Sequence, residues 1–183
     1  SFLAEHELVT SGPINGIARA QVLSFQRLAY RVMQETGGSA RVGISEEGKS
    51  MLLYKIIQRR KDELKLFGPS GDQMGFVGRL SKLYTEMKRY CIDATHVEEQ
   101  ISRMHVNGSG TPILRDKLGD ILTLYRDFEQ ELSPLYMDNE DHLMTLAEAI
   151  PNSSYVKDAD IWIDGFHGFT PLEFIVLQQL ISC

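Results

Sequence analysis

Asp164 is the residue whose type and position point most directly to chemistry. In ADIWIDGFHGFTPLEF, residues 159–174, it closes the short apolar run Ile161-Trp162-Ile163. Open α/β sheets collect their functional groups at the carboxyl ends of strands. An aspartate there can hold magnesium directly or through water, as in nucleotide-hydrolysing cores. Hydrolysis also needs a group that orients or deprotonates the attacking water, and the next residue, Gly165, carries none. The nearest acid downstream is Glu173. It belongs to Thr170-Pro171-Leu172-Glu173, a capping box with proline at the first helical position, so its work is to start a helix. Asp164 therefore reads either as a degenerate magnesium/ATP motif or as a turn residue. No residue is assigned a catalytic role.

A second stretch, Ser24-Phe25-Gln26-Arg27-Leu28-Ala29-Tyr30, opens a helix. Free backbone N–H groups at a helix start suit a phosphate, an exposed aromatic can stack on a base, and arginine can reach phosphate or base edges. The alternative is that Phe25 packs in the core while Arg27 and Arg31 are solvated. A third set, Lys55, Arg59, Arg60, Lys61 and Lys65 with Arg79, Lys82, Lys88 and Arg89, could flank a nucleic-acid backbone or form the wet face of two helices.

Other chemistries find no support. The histidines at 6, 96, 105, 142 and 167 show no ligand spacing with cysteines or acids, so no metal site is expected. There is no GxxxxGK[ST] phosphate loop and no nucleophile elbow. Cys91 and Cys183 make neither a disulfide framework nor a metal cluster, and a reducing cytoplasm is the expected setting. No apolar run reaches the length of a membrane span. The net charge of −6 gives no whole-chain basic footprint for nucleic acid, although a local basic face can act within an acidic chain.

The elements that must position these residues alternate in kind. Residues 18–23 suit a short strand, followed by a helix with Phe25, Leu28, Val32 and Met33 on one face and Gly37 as its C-terminal cap. Ser45 with Glu46 and Glu47 starts a second helix, broken at 68–73. Met74 to Met87 marks a third, and Thr95 with Glu98 reads as the capping box of a fourth. Thr111-Pro112 opens a long helix, and Asp138 with Asp141 starts another that stops before Pro151. Residues 160–164 read as a strand. The order predicts an α/β core interrupted by helices, with the two end strands in one parallel sheet or paired to further chain, since one or two strands alone do not make a stable sheet.

These residues carry a resemblance. SFQRLAYRV is similar to the strand-to-helix segment of UvrD-like superfamily 1 helicases, and WIDGFHGFTPLEF stands where their magnesium-binding motif Val-Asp-Glu-Phe-Gln-Asp falls. The closer resemblance is to the AddB family of bacterial AddAB helicase–nucleases, through RAQVLSFQRLAYRVMQETGG, the Asp-Gly-Phe…Phe-Thr-Pro stretch, Lys88 to Cys91 and the opening SFLAEHEL. It implies a predominantly helical α/β fold, a partial RecA-like (P-loop NTPase) helicase core with a large all-helical insertion. Residues 1–44 would be the first part of the core, 45–150 the insertion, and 151–183 the return with the degenerate magnesium motif.

The resemblance further implies a piece of a longer subunit, consistent with Ser1 at the start, with a phosphate loop upstream and an iron–sulfur nuclease domain downstream. ATP, magnesium and the cluster would belong to that parent, an ATP-dependent helicase and exodeoxyribonuclease of recombinational DNA repair, with no cofactor in this stretch. The implied role is an inactivated helicase-like module that receives 3′-ended single-stranded DNA and scans it for Chi, while the AddA partner supplies the motor. On this chain the implied DNA-side residues are Ser1, Phe25, Arg27, Tyr30 and Phe166. Gln26 stands where these helicases usually have histidine and Gly168 where they have a later aspartate. Part of an active helicase motor, or a helical interaction module, are the alternatives.

Overall fold

Short oxygen-bearing side chains set where the helices begin. The computed structural model describes residues 5–7, 10, 20–38, 40–108 and 110–183. Helix α1, Phe25–Thr36, starts where Ser24 accepts a hydrogen bond from the Arg27 amide, and ends at Gly37, whose φ of 104° is the left-handed conformation glycine adopts without penalty. Helix α2, Glu46–Arg60, is capped by Ser45 and has acids in its first turn and arginines in its last, complementing the helix dipole. A 3₁₀ turn at Gly68–Ser70 precedes helix α3, Met74–Arg89.

Helix α4 runs Ala94–Val106, and its capping box is Asp93 with His96, not Thr95 with Glu98. Both pairs have the right spacing, but the Asp93 carboxylate takes the His96 amide at 3.0 Å and ends the competition two residues earlier. Thr111 caps helix α5, Pro112–Leu132. Asp138 and Asp141 cap α6, Asn139–Ala149, which passes through a 3₁₀ turn at Ile150–Asn152 into the one-turn α7, Ser154–Lys157. Thr170 and Glu173 form the expected box at the start of α8, Pro171–Ser182.

The helices enclose two hydrophobic clusters. Leu53, Ile56 and Ile57 of α2 pack with Tyr84 of α3 and Leu124 and Phe128 of α5. Ala29 and Val32 of α1 pack with Leu146 of α6 and Val176, Leu177 and Leu180 of α8. Charged side chains help join the two groups of helices. Lys88 of α3 lies 3.2 Å from Glu129, 3.0 Å from Asp138 and 2.9 Å from Asp141. Burial opposes the charge on Lys88, but the three carboxylates outweigh it and hold the ammonium protonated well above its usual range.

The sheet differs from expectation. Its two strands are β1, Val42–Gly43, and β2, Tyr136–Met137, paired in parallel. Within the expected first strand, Ala18 and Arg19 lie outside the described residues, and residues 20–23 are irregular. Residues 160–164 form no strand either. Among the described residues no backbone partner serves their amides. A strand exists only by pairing with a neighbour, so apolar sequence by itself leaves Ile161, Trp162 and Ile163 exposed, the indole at 91%.

Candidate nucleic-acid interface

Gly165 determines where the aromatic residues of the 164–169 loop go. Its φ of 77° reverses the chain directly after Asp164, a conformation that would strain any residue with a Cβ. The Asp164 carboxylate accepts the Gly165 amide at 2.7 Å, an ordinary turn-stabilising bond. The turn folds Phe166 back onto Phe25 at the start of α1, with ring centroids 5.4 Å apart. Phe169 completes the group, 4.9 Å from Phe166 and 6.4 Å from Phe25, and Phe174 stands edge-on to it at 5.7 Å. Such tilted and edge-on geometries are the favoured ones for aromatic pairs. Phe25 is half-buried and Phe166 is 45% exposed, so the cluster is rooted in the core and open on one side.

The outer face of α1 continues from this cluster. Tyr30 is 68% exposed. Arg27 is exposed and lies 3.7 Å from Glu5, a loose surface pair of little net worth. Arg31 sits over the Tyr155 ring at 5.1 Å, and the Tyr155 hydroxyl donates to Gln21 at 2.8 Å. Gln21 to Leu23, Arg27, Tyr30 and Arg31 thereby border a cleft of about 740 Å³. The structure thus joins Phe25 with Phe166, and sets Arg27 and Tyr30 together one helix face away. Ser1 lies outside the described residues. Asp164 stands exposed in the loop, and among the described residues its carboxylate is tied to the Gly165 amide.

Glu35, at the far end of α1, fixes this geometry. Its carboxylate accepts hydrogen bonds from the Ser153 hydroxyl at 2.6 Å, the Ser154 amide at 2.9 Å, the Ser154 hydroxyl and the Tyr155 amide. The two serine hydroxyls are the main reason its pKa falls from the ordinary 4.5 to about 2. The chain entering the 158–169 loop is therefore bound to α1 at Glu35 and Arg31 and to the segment before it at Gln21.

The basic set on α2, the segment after it and α3 is largely neutralised. Lys55 pairs with Glu131, Arg59 with Asp127 and Glu131, Arg60 with Asp127 and Glu63, Lys61 with Asp72, and Lys65 with Asp116. Lys88 and Arg89 are likewise held by carboxylates. These charges mainly cross-link helices, so of the two readings the phosphate-binding flank finds little support. Arg79 and Lys82 are the members of the set without an ion pair among the described residues.

No group of three or more His, Cys, Asp or Glu side chains that could hold a metal ion occurs among the described residues. Among the described residues Asp164 belongs to no such group, and Cys91 and Cys183 are both free. This donor set does not fit an iron–sulfur cluster, which needs four ligands. Phe169 and the Tyr155–Glu35 anchorage were not singled out from sequence. The aromatic repeat Phe166-x-x-Phe169 in a glycine-bearing loop was a visible signal for the first. No local signal exists for the second, since Glu35 and Ser153 are far apart in the chain.

A family described as ADDB, N-terminal, matches residues 1–183. Similar proteins include one from Geobacillus kaustophilus, 45% identical over 184 residues and 99% of this chain. One from Anoxybacillus flavithermus is 44% identical over 187 residues, and one from Bacillus cereus strain AH187 is 42% identical over 185, each covering the whole of this chain. All three are described as B subunits of an ATP-dependent helicase/deoxyribonuclease. The chain spans 16% of the length of these relatives.

Proposed function

This chain belongs to the AddB N-terminal family, and from that premise we propose that it is a non-catalytic helicase-like module of a DNA-repair helicase–nuclease that binds 3′-ended single-stranded DNA and scans it for Chi. Its partner is the AddA subunit, which supplies the motor. The observation that carries the reading is the aromatic cluster of Phe25, Phe166 and Phe169, open to solvent beside exposed Arg27 and Tyr30. Stacking rings next to a cation are what a sequence-tolerant single-strand track requires. Gly165 in place of a second acid, and the involvement of Asp164 and Glu173 in local backbone bonds, support a site without hydrolytic chemistry.

The same reading gives the module a RecA-like frame. Residues 18–23 and 160–164 become strands of its sheet when neighbouring strands of the longer polypeptide are present, and the helices of 45–150 form the insertion. ATP, magnesium and an iron–sulfur cluster are bound elsewhere in that polypeptide or its partner, because the residues here do not suit them. The test uses the complete two-subunit complex carrying Phe25→Ala or Arg27→Ala. Loss of one stacked base is worth about 1–3 kcal/mol, so Phe25→Ala should weaken single-strand binding by roughly 5- to 150-fold and blunt the response to Chi. Unchanged affinity and unchanged Chi response in both variants would sink the assignment. Asp164→Ala should leave DNA-stimulated ATP turnover as it was, and its abolition would instead establish an active motor here.

A further inference from the structure

Helix α1 is a ridge between two clefts of different chemistry. Gln26, Tyr30 and Gln34 follow one another at four-residue spacing and border both. One cleft holds Arg27 and Arg31, as described. The other, about 540 Å³, lies between α1 and the start of α6 and is bordered by Gln26, Tyr30, Met33, Gln34, Asn139 and His142. Among the described residues, no Lys, Arg, Asp or Glu stands in its wall. Gly37 and Gly38 also border it, both with left-handed φ and with no side chain to fill the space.

The polar side chains in this wall are idle. Among the described residues, neither the amides of Gln26, Gln34 and Asn139 nor the imidazole of His142 has a side-chain hydrogen-bond partner. Each amide offers donors and an acceptor, and imidazole offers both. An uncharged wall of that kind, with an exposed phenol ring and a methionine beside it, does not suit a phosphate. It suits a flat heteroaromatic ring with donors and acceptors on its edge, and the volume is that of a small-ligand pocket.

We propose that the cleft between α1 and α6 receives a nucleobase of the single strand, with Gln34, Asn139 and His142 reading its edge and Tyr30 covering its face, while the strand's phosphates lie across the ridge beside Arg27 and Arg31. This rests on the reading of the module as a single-strand binder and adds where base identity is sensed.

The experiment measures binding of fluorescein-labelled single strands to the complete two-subunit complex, comparing a base-bearing oligonucleotide with an abasic deoxyribose-phosphate strand of equal length. Gln34→Ala, Asn139→Ala and His142→Ala are each expected to weaken the base-bearing strand by roughly tenfold, within the range of one lost base-edge contact, and to change the abasic strand by less than about twofold. Arg27→Ala is expected to weaken both strands alike and to flatten the salt dependence. Thermal melting checks that each variant is folded. Pocket variants that weaken both strands equally, or neither, overturn the base pocket while the single-strand reading survives. A wild-type complex that binds neither strand overturns both.

Discussion

Glu35 shows how much one exposed side chain can organise. It is a helix residue on α1, yet its carboxylate acts as the anchor for the start of α7 and so for the loop that carries Phe166. Its folded pKa of about 2 lies below the ordinary 4.5. A depressed carboxylate contributes stability that is fully present above 4.5 and lost as pH falls toward 2. The stability advantage of wild type over Glu35→Gln, followed as the urea midpoint, should therefore be constant near neutrality and shrink across that acid window. An advantage that holds its size down to pH 2 would mean that the hydroxyl contacts do not depend on the charge. The site residues were legible to different degrees for physical reasons. The Ser24 cap and the Phe25 face follow from local spacing, whereas the approach of Phe166 to Phe25 depends on the left-handed Gly165 turn, and spacing alone does not dictate it.

At the scale of elements, the helices were legible because their determinants are local. Ser24, Ser45, Thr111, Asp138 and Thr170 each accept a backbone amide three residues on and start the helix that their sequence predicts. The joints between helices were not legible, since Lys88 meets its carboxylates only after α3 and α6 have been packed together. That joint is costly to break. Lys88→Met would leave Asp138, Asp141 and Glu129 close together, with burial already pushing the Glu129 carboxyl above its usual range despite Lys88. Loss of one partner from a buried ionic group costs about 3–5 kcal/mol, and Asp138 also caps α6. Denaturant titration should show a loss of that size at neutral pH and a smaller one in acid, where protonation relieves the unpaired carboxylates. A loss below about 1 kcal/mol would show that the cluster is solvated in solution and does not hold α3 to α6.

For the molecule as a whole, the strands are what remained illegible, and the reason is that a strand is a property of two segments. The run 160–164 has a strand's composition, but its amides find no backbone partner among the described residues and Trp162 stands almost fully exposed. Helix α8, apolar on nearly every side, likewise leaves Phe174 and Ile181 uncovered. A central strand and a helix buried on all sides are what a parallel α/β sheet would consume. This chain spans 16% of the length of its relatives, and under the proposed RecA-like frame the partner strands would come from the additional sequence. Hydrogen exchange distinguishes the two states without relying on activity. In the 183-residue chain alone, the amides of 161–164 should exchange at close to the rate of an open chain, whereas in the full-length polypeptide they should be slowed by on the order of a hundredfold or more, as core strands are. Slow exchange confined to α1 and α8, with 161–164 still fast in the full-length polypeptide, would remove the RecA-like sheet from the proposal. The aromatic cluster would then be a loop-borne surface, with no sheet edge beneath it.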